Sequence, residues 1–354
     1  QGQLDHVSRL DCVPHQLGAA LMKKLFRKNL WLGLAALIVF VLAQFLVQRF
    51  GAAPSTSGTG EARPAEGTLV VRMLEIGQGD AILVQTGTEN ILIDTADVDE
   101  RDRLRAQLAQ AGIEKSGRID KIILTHPHAD HIGGMDVLLR EYAVGEVYDN
   151  GQPSNSPVYR GYMKLLAEKR VPSRALTAGD TIDLGSGAHF EVVAPTAAMI
   201  DEVHAKKKKK SDPNNECVVG RLVFGDFSMM FTGDAEDAEE EAVLAHTPAE
   251  RLRSTVFKVG HHGSKTSSTP EFLEAVHPSV GLISCGFPNK YWHPHKSTRT
   301  ALSKRGIDVY STPVNGMITI VSDGKTCRVE PEKGDKNDFG IYEKREKDEP
   351  KESK

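Results

Sequence analysis

Residues 125–131 read THPHADH, which places three of the 13 histidines of a 354-residue chain within seven positions. The stretch follows IDKIIL, a run of apolar β-formers ending at Leu124, and precedes IGGMDVLLREY, whose apolar spacing is helical. A strand that stops at a turn before a helix leaves the side chains of the turn facing a cleft at the sheet end. His126 and His128 alternate, so on extended backbone they project to the same side. Asp130 and His131 follow where the chain bends. Imidazole and carboxylate together form a ligand set for zinc, manganese or iron, and no thiol stands nearby to make a Cys-rich structural site. Four potential ligands in six residues suggest two ions rather than one. The alternative, a polar surface loop, gives crowded and desolvated imidazoles nothing in return.

Other strand ends carry the same kind of punctuation. Asp94 closes the buried strand ILIDTA, where an acid is either a structural hydrogen-bond acceptor or a group behind a ligand. GQGD, residues 77–80, is a tight turn and a weak phosphate cradle, because no helix N-terminus follows it. Asp234 in FTGDAE follows SMMF and precedes an acidic helix, so it is either the cap of that helix or an oxygen bridge between metals. Glu236 reads as a first-turn acid of the same helix. His261 and His262 follow VFKVG; adjacent residues at a bend do not easily reach one ion, so one ligates, His262 in preference to His261. Ser264, Lys265 and Thr266 then offer hydroxyl and ammonium donors to a phosphate. His293 and His295 in WHPH repeat the alternate spacing, and His293 is the preferred ligand.

In order, MLEIGQGDAILVQTG, ILIDTA, LTHPHADHIGG, FTGDAE, FKVGHHGSKTSS and YWHPHKS resemble the metallo-β-lactamase fold, and within it the extracellular hydrolase domain of ComEC-type DNA-uptake proteins and their free-standing relatives. The resemblance covers roughly residues 68–322. It implies an α+β, four-layer αββα sandwich, with Asp94 bracing the histidine loop, Asp80 close to the metals and Asp234 bridging them. Two divalent ions, zinc or manganese, are the implied cofactors. In the resulting arrangement His126, His128 and His262 hold one ion and Asp130, His131 and His293 the other. Asp130 also has a catalytic part, and His261 or His295 protonates the departing oxygen. The chain departs from the wider fold in lacking the usual third histidine: His189 lies inside a strand, His204 beside a lysine run, and DPNNECVV stands at the expected place. Asn215 there is a weak ligand or substrate contact. Lys206 to Lys210, five consecutive lysines with Lys208 at their centre, are either a solvated loop or a polyanion contact bordering the cleft.

Hydrophobic residues make up 40% of the chain, ample for a core, and a net charge of −4 excludes a generic basic nucleic-acid coat. The four cysteines, Cys12, Cys217, Cys285 and Cys327, show neither a CxxC pair nor a framework spacing. Cys217 and Cys285 read as small buried side chains. Residues 30–47 are an uncharged apolar run behind Lys23, Lys24, Arg27 and Lys28. Its length spans a bilayer core as a helix, and the basic flank places the chain after Arg49 outside the membrane. A cleaved signal peptide is the competing reading, giving a secreted product. The expected organisation is an upstream extension over 1–21, ahead of the start-like Met22, then a basic flank and signal-anchor helix over 22–50. Beyond these come a flexible linker over 51–67, the folded domain over 68–331 and a charged, disordered tail over 332–354.

The expected function is a dinuclear metal-dependent hydrolase of phosphodiesters, most simply an extracytoplasmic nuclease acting on DNA and linked to DNA-uptake machinery. One rival is a hydrolase of another class, such as a choline-phosphate esterase, lactonase or β-lactamase. The other is a non-catalytic, anchored DNA-binding module.

Overall fold

The computed structural model describes residues 63–348. The expected extension, basic flank, membrane helix and most of the linker lie outside the described residues. Fifteen strands occur among those described, in chain order β1 (Leu69–Met73), β2 (Ile82–Gln85), β3 (Asn90–Ile93), β4 (Arg118–Ile123), β5 (Ala143–Asp149), β6 (Ser173–Ala175), β7 (Thr181–Asp183), β8 (His189–Ala194), β9 (Val219–Phe224), β10 (Phe227–Phe231), β11 (Val256–Lys258), β12 (Val280–Ile283), β13 (Asp308–Ser311), β14 (Ile318–Ser322) and β15 (Cys327–Pro331). They form one sheet in the order β15-β14-β1-β2-β3-β4-β5-β6 and a second in the order β13-β12-β11-β10-β9-β8-β7. Both are mixed: β1 to β3 are antiparallel neighbours while β3, β4 and β5 run parallel, and β9 and β10 are antiparallel while β10 to β13 run parallel.

The strands read as nearly continuous apolar runs because each sheet is covered on both faces. Side-chain alternation sorts each run between two cores. In β2 and β3, Ile82, Val84, Ile91 and Ile93 enter the core between the sheets, where they share a cluster with Phe190, Leu222 and Phe231. Their neighbours Leu83 and Leu92 face the other way, against Leu104, Leu108, Met135 and Leu165. Those four belong to helices Arg101–Gln110, Met135–Glu141 and Pro157–Lys169. On the far side, Met230 and Phe257 pack against Met199, Val243, Phe272 and Leu302 from the helices over the second sheet. Helix, sheet, sheet, helix is therefore the layer order, as expected. Among the described residues, no helix is long and apolar enough to cross a membrane.

The expectation of a disordered tail from residue 332 is corrected as far as residue 348. Asn337 pairs with the backbone of Val309, donating through its N–H (2.7 Å) and accepting through Oδ1 (2.9 Å). Gly340–Asp348 is a helix, and its Tyr342 is fully buried with its hydroxyl donating to Ser311 Oγ at 2.9 Å. Phe339 packs against the outer core of the second sheet. Two aromatic anchors dock a segment whose composition is otherwise that of solvated chain.

Candidate metal centre

The loop 125–131 follows β4 and turns into a one-turn helix at Ala129–Ile132. Asp94, at the end of β3, fixes it from below. Its Oδ1 accepts Thr125 N–H at 2.8 Å, and its Oδ2 lies 2.8 Å from both Thr125 Oγ1 and His131 Nδ1. With Nδ1 engaged, His131 presents Nε2 to the cleft. Gly233, just before Asp234, has φ +53, and a Cβ on it would lie 2.7 Å from Thr125 Oγ1. Glycine at this position lets the end of β10 close against the histidine loop.

His261 and His262 both adopt left-handed backbone, with φ 46 and 55. Two successive residues in this conformation splay their rings, whose centres are 6.1 Å apart at 68°. His262 Nδ1 bonds Ser284 O at 2.9 Å, which leaves its Nε2 free to point at Asp234. Asp234 Oδ1 lies 3.3 Å from His262 Nε2 and 3.3 Å from His131 Nε2, while Asp130 Oδ2 lies 3.4 Å from His262 Nε2. The other oxygen, Oδ2, lies 3.9 Å from His126 Nε2 and 3.6 Å from His261 Nε2. His126 Nε2 in turn is 3.1 Å from His128 Nδ1. Three groups able to hold an ion result among the described residues: Asp130, His131, Asp234 and His262; His126, His128 and Asp234; and, on the Nδ1 side of His131, Asp80, Asp94 and His131, where Lys258 already pairs with Asp80.

The first two groups fit divalent cations. Asp234 Oδ1, His131 Nε2 and His262 Nε2 are buried, converge on one another, and have no hydrogen-bond partner. Each such orphan costs about 1–3 kcal/mol, so three facing one space call for a shared partner. Two ligands bound at about 2.1 Å to a tetrahedral ion sit roughly 3.4 Å apart, which is the spacing found here.

The electrostatics agree. Burial works against charge on every group in the cluster, yet His262 and His131 hold Asp234 well below the usual carboxylate range. Burial likewise opposes protonation of His131 and His262, but the facing carboxylates, Asp234 foremost, hold both well above the usual histidine range. Burial, and then His131, drive His126 and His128 down, keeping them neutral. Without an ion, protons on His131 and His262 supply the positive charge that the acids require; a metal competes for the same lone pairs. Beneath them Lys258 Nζ pairs with Asp80 Oδ2 at 2.7 Å, both residues 1% exposed. Burial raises the Asp80 carboxyl, but Lys258 and His262 more than offset it and hold it at about 2.

The family model of the Metallo-beta-lactamase superfamily matches residues 74–286, 60% of the chain. This chain belongs to the metallo-beta-lactamase superfamily. It is 29% identical over 288 residues to the Competence protein ComA of Neisseria gonorrhoeae, covering 81% of this chain and 36% of that protein. It is also 29% identical over 266 residues to ComE operon protein 3 of Bacillus subtilis (strain 168), covering 70% and 32%. The chain thus spans about a third of the length of these relatives. Among solved structures, the metallo-beta-lactamase fold protein YhfI from Bacillus subtilis aligns at 11% identity with a TM-score of 0.43, over 68% of this chain and 95% of its own. The chain thus combines the metallo-beta-lactamase superfamily fold and competence-related homologues with His/Asp clusters able to hold metal.

Within this metallo-beta-lactamase fold, the expected residues fall into place unevenly. His126, His128, Asp130, His131, Asp234 and His262 converge, but His262 groups with Asp130 and His131 rather than with His126 and His128. His293 does not join the group that was expected to include it. It is buried on the cleft wall, its ring 6.1 Å from that of His262 and 5.4 Å from that of His261, because the inward turn of His262 takes the place beside Asp130. Burial and the neighbouring His262 and His261 press His293 down to about 3. His295 also lines the cleft, its Nδ1 accepting the Lys265 backbone N–H at 3.1 Å.

The expected substrate contacts need correction. Asn215 is buried and spent, its amide donating to Asp212 and Glu236 and its Oδ1 accepting Glu239 N–H. Asn214 faces the cleft instead, with Nδ2 3.5 Å from His261 Nε2. Ser264 is buried and bonded to Thr266, so it braces its own turn. Lys265 is exposed, but it and Lys208 stand outside the cleft lining. Lys206 to Lys210 are not all one loop: Lys206 and Lys207 end the helix Ala197–Lys207 and pair with Glu241, Glu236 and Asp237, and Lys209 pairs with Asp212. Three of the five lysines thus have an acidic partner.

Several site residues were missed or undervalued. Glu236 faces His261 Nδ1 at 3.4 Å; burial opposes its ionisation, yet bonds from His261 and Asn215 hold it at about 2. Lys258 carried a sequence signal, a cation in the apolar run VFKVG. Asp97, Asp99, Glu100, Lys290 and Tyr291, which also line the cleft, carried none.

Proposed function

We propose that this chain is a dinuclear metal-dependent phosphodiesterase acting on DNA. The observation that carries it is Asp234: its two oxygens face two separate ligand groups, the arrangement of a carboxylate bridging a pair of ions. The cleft above it holds about 930 Å³ and is lined mainly by histidines, acids, amides and a lysine, which suits an extended polar ester better than a lipophilic lactam or lactone.

His126 and His128 would hold one ion, Asp130, His131 and His262 the other, and Asp234 both. Bound there, divalent ions lower the pKa of a water and polarise a phosphoryl oxygen. The chain's own residues do the rest. Asp94 and Ser284 O fix the Nδ1 sides of His131 and His262, so that only Nε2 faces the centre. Glu236 orients His261 from its Nδ1 side, so the neutral ring turns the lone pair of Nε2 toward the cleft and the Asn214 amide, placed to accept a proton rather than to give one. His295 accepts at Nδ1 and therefore carries its neutral-form proton on Nε2, which makes it the one of the two expected donors suited to protonate a departing oxygen.

The competence-protein names of the relatives support DNA as substrate and DNA-uptake machinery as partner. The basic flank ahead of residues 30–47 supports an extracytoplasmic site of action, tethered to the membrane or released after signal cleavage. The test is to load the full-length chain with manganese or zinc, measure bound metal, and incubate it with DNA and with a simple phosphodiester. We expect two ions per chain, cleavage of both substrates, and loss of roughly a thousandfold in kcat/KM for Asp234→Asn. Full metal loading without cleavage of either substrate refutes the assignment.

A further inference from the structure

Phe287 and Tyr291 are the two large apolar side chains left exposed among the described residues, at 40% and 47%. Both lie on the lip of the cleft, in the segment FPNKYW (287–292). Tyr291 lines the cleft beside Lys290, Asn289 and His293. Its ring stacks on that of His293, with centres 5.5 Å apart and planes at 22°, and Lys290 Nζ sits 4.9 Å from its centre. An aromatic ring backed by a buried histidine and left open to solvent contributes little to stability where it stands.

The lip is held firmly. Asn289 Oδ1 accepts the N–H of Tyr291 (3.1 Å) and of His293 (3.0 Å), and its Nδ2 donates to Gly286 O (2.7 Å) and His293 O (2.8 Å). Arg345, from the C-terminal helix, donates to Trp292 O at 2.8 Å and His293 O at 3.4 Å, and its guanidinium lies 4.7 Å from the centre of the Trp292 ring. Trp292 has φ 63, a conformation a bulky side chain adopts only when its surroundings impose it. The cleft lining also carries Asp97, Asp99 and Glu100, which repel phosphate. A polyanion entering the cleft is thereby directed to the lip, which carries Lys290, the one Lys or Arg among the described cleft-lining residues.

The geometry points to Tyr291 as a stacking platform for an unpaired nucleobase beside the scissile phosphodiester, with Lys290 meeting the adjoining phosphate and Arg345 as the positioning residue of the lip. The inference rests on the proposed action on DNA and adds to it a base-dependent subsite. A base within a duplex presents its faces to its neighbours, so the platform selects unpaired nucleotides. Sequence preference is weak, since every base has a π-face.

The test measures binding separately from cleavage. Full-length chain in EDTA is titrated into a fluorescent thymidine oligonucleotide and into the same backbone with abasic sites, and Kd is read by anisotropy. The wild type is expected to favour the base-bearing strand by about tenfold. That ratio falls to about one in Tyr291→Ala, is kept in Tyr291→Phe, and shrinks in Arg345→Ala, with circular dichroism confirming that each variant is folded. Equal Kd values in the wild type, a ratio that survives Tyr291→Ala, or no binding of either strand overturns the proposal. Cleavage with manganese is scored apart: base-dependent binding without cleavage sinks the hydrolase reading and leaves the platform standing, whereas cleavage with an unchanged ratio in Tyr291→Ala does the reverse.

Discussion

Lys258→Met tests whether the ion pair under the histidines supports the site. Lys258 and Asp80 are each 1% exposed, and besides Asp80 the ammonium donates to Val259 O at 3.0 Å and Gly233 O at 3.4 Å. Methionine fills much of the lysine volume, so the loss is electrostatic: it leaves the Asp80 carboxylate with only His262 Nδ1 at 3.4 Å and His131 Nδ1 at 4.0 Å. Breaking a buried pair from one side costs about 3–5 kcal/mol. The sign with pH is set by Asp80. In the wild type its pKa is depressed from 3.8 to about 2, so its contribution is present above the ordinary carboxylate range and is lost as pH falls toward about 2. A shift of that size is worth roughly 2 kcal/mol. In the variant only His262 and His131 still oppose burial, so the carboxyl is expected to take up its proton at higher pH than in the wild type, and the penalty, full at neutral pH, shrinks as acidification protonates it. The assay is urea unfolding of the metal-free chain, followed by circular dichroism at pH 7 and at pH near 4, on wild type, Lys258→Met and Asp80→Asn/Lys258→Met. The double variant is expected to regain at least half of the loss. A single-variant loss below about 1 kcal/mol, or a double variant no more stable than the single, refutes the reasoning.

Three further outcomes are expected. Asp94→Ala frees His131 Nδ1 and the Thr125 bonds while leaving the two ligand groups that share Asp234 intact, so metal affinity measured by competition with a chelator falls about 10- to 100-fold. Because His131 and His262 are held protonated well above the usual histidine range without an ion, metal binding displaces protons. Apparent affinity therefore weakens as pH falls, by about tenfold per pH unit for each proton released, and calorimetry in buffers of different ionisation enthalpy counts those protons; a pH-independent affinity contradicts the electrostatics. Tyr342→Ala empties a fully buried site in the C-terminal helix and is expected to cost about 3–5 kcal/mol in urea unfolding. A loss within about 0.5 kcal/mol would show that the helix is not docked.

The layered fold and the ligand loops were legible in the sequence because each ligand motif is contiguous and sits at a strand end. THPHADH after β4, TGD after β10 and GHHG after β11 carry both their chemistry and their position within a few residues. The division of ligands between ions was not legible, because it depends on which imidazole nitrogen remains free. That choice is made by remote acceptors, Asp94 for His131 and Ser284 O for His262, and by the left-handed backbone that splays His261 from His262. The exchange of Asn215 for Asn214 has the same origin. Which of two neighbouring amides faces the cleft is fixed by Asp212, Glu236 and Glu239, whose helix caps and turns claim Asn215.

The C-terminal segment shows where composition misleads. KGDKNDFGIYEKREKD has the charge of solvated chain, yet Phe339, immediately before the helix, and Tyr342 and Arg345 within it recur at intervals of three, which turns them to one side. That side supplies one buried ring, one packed ring and a guanidinium bonded to the lip of the cleft. Mean charge averages this pattern away, and a spacing of three over so short a stretch gives no long periodic signal to read. The consequence reaches the site itself. The carbonyls of Trp292 and His293 are held from a helix some fifty residues further along the chain, so the lip of the cleft is completed by a segment outside the matched region 74–286.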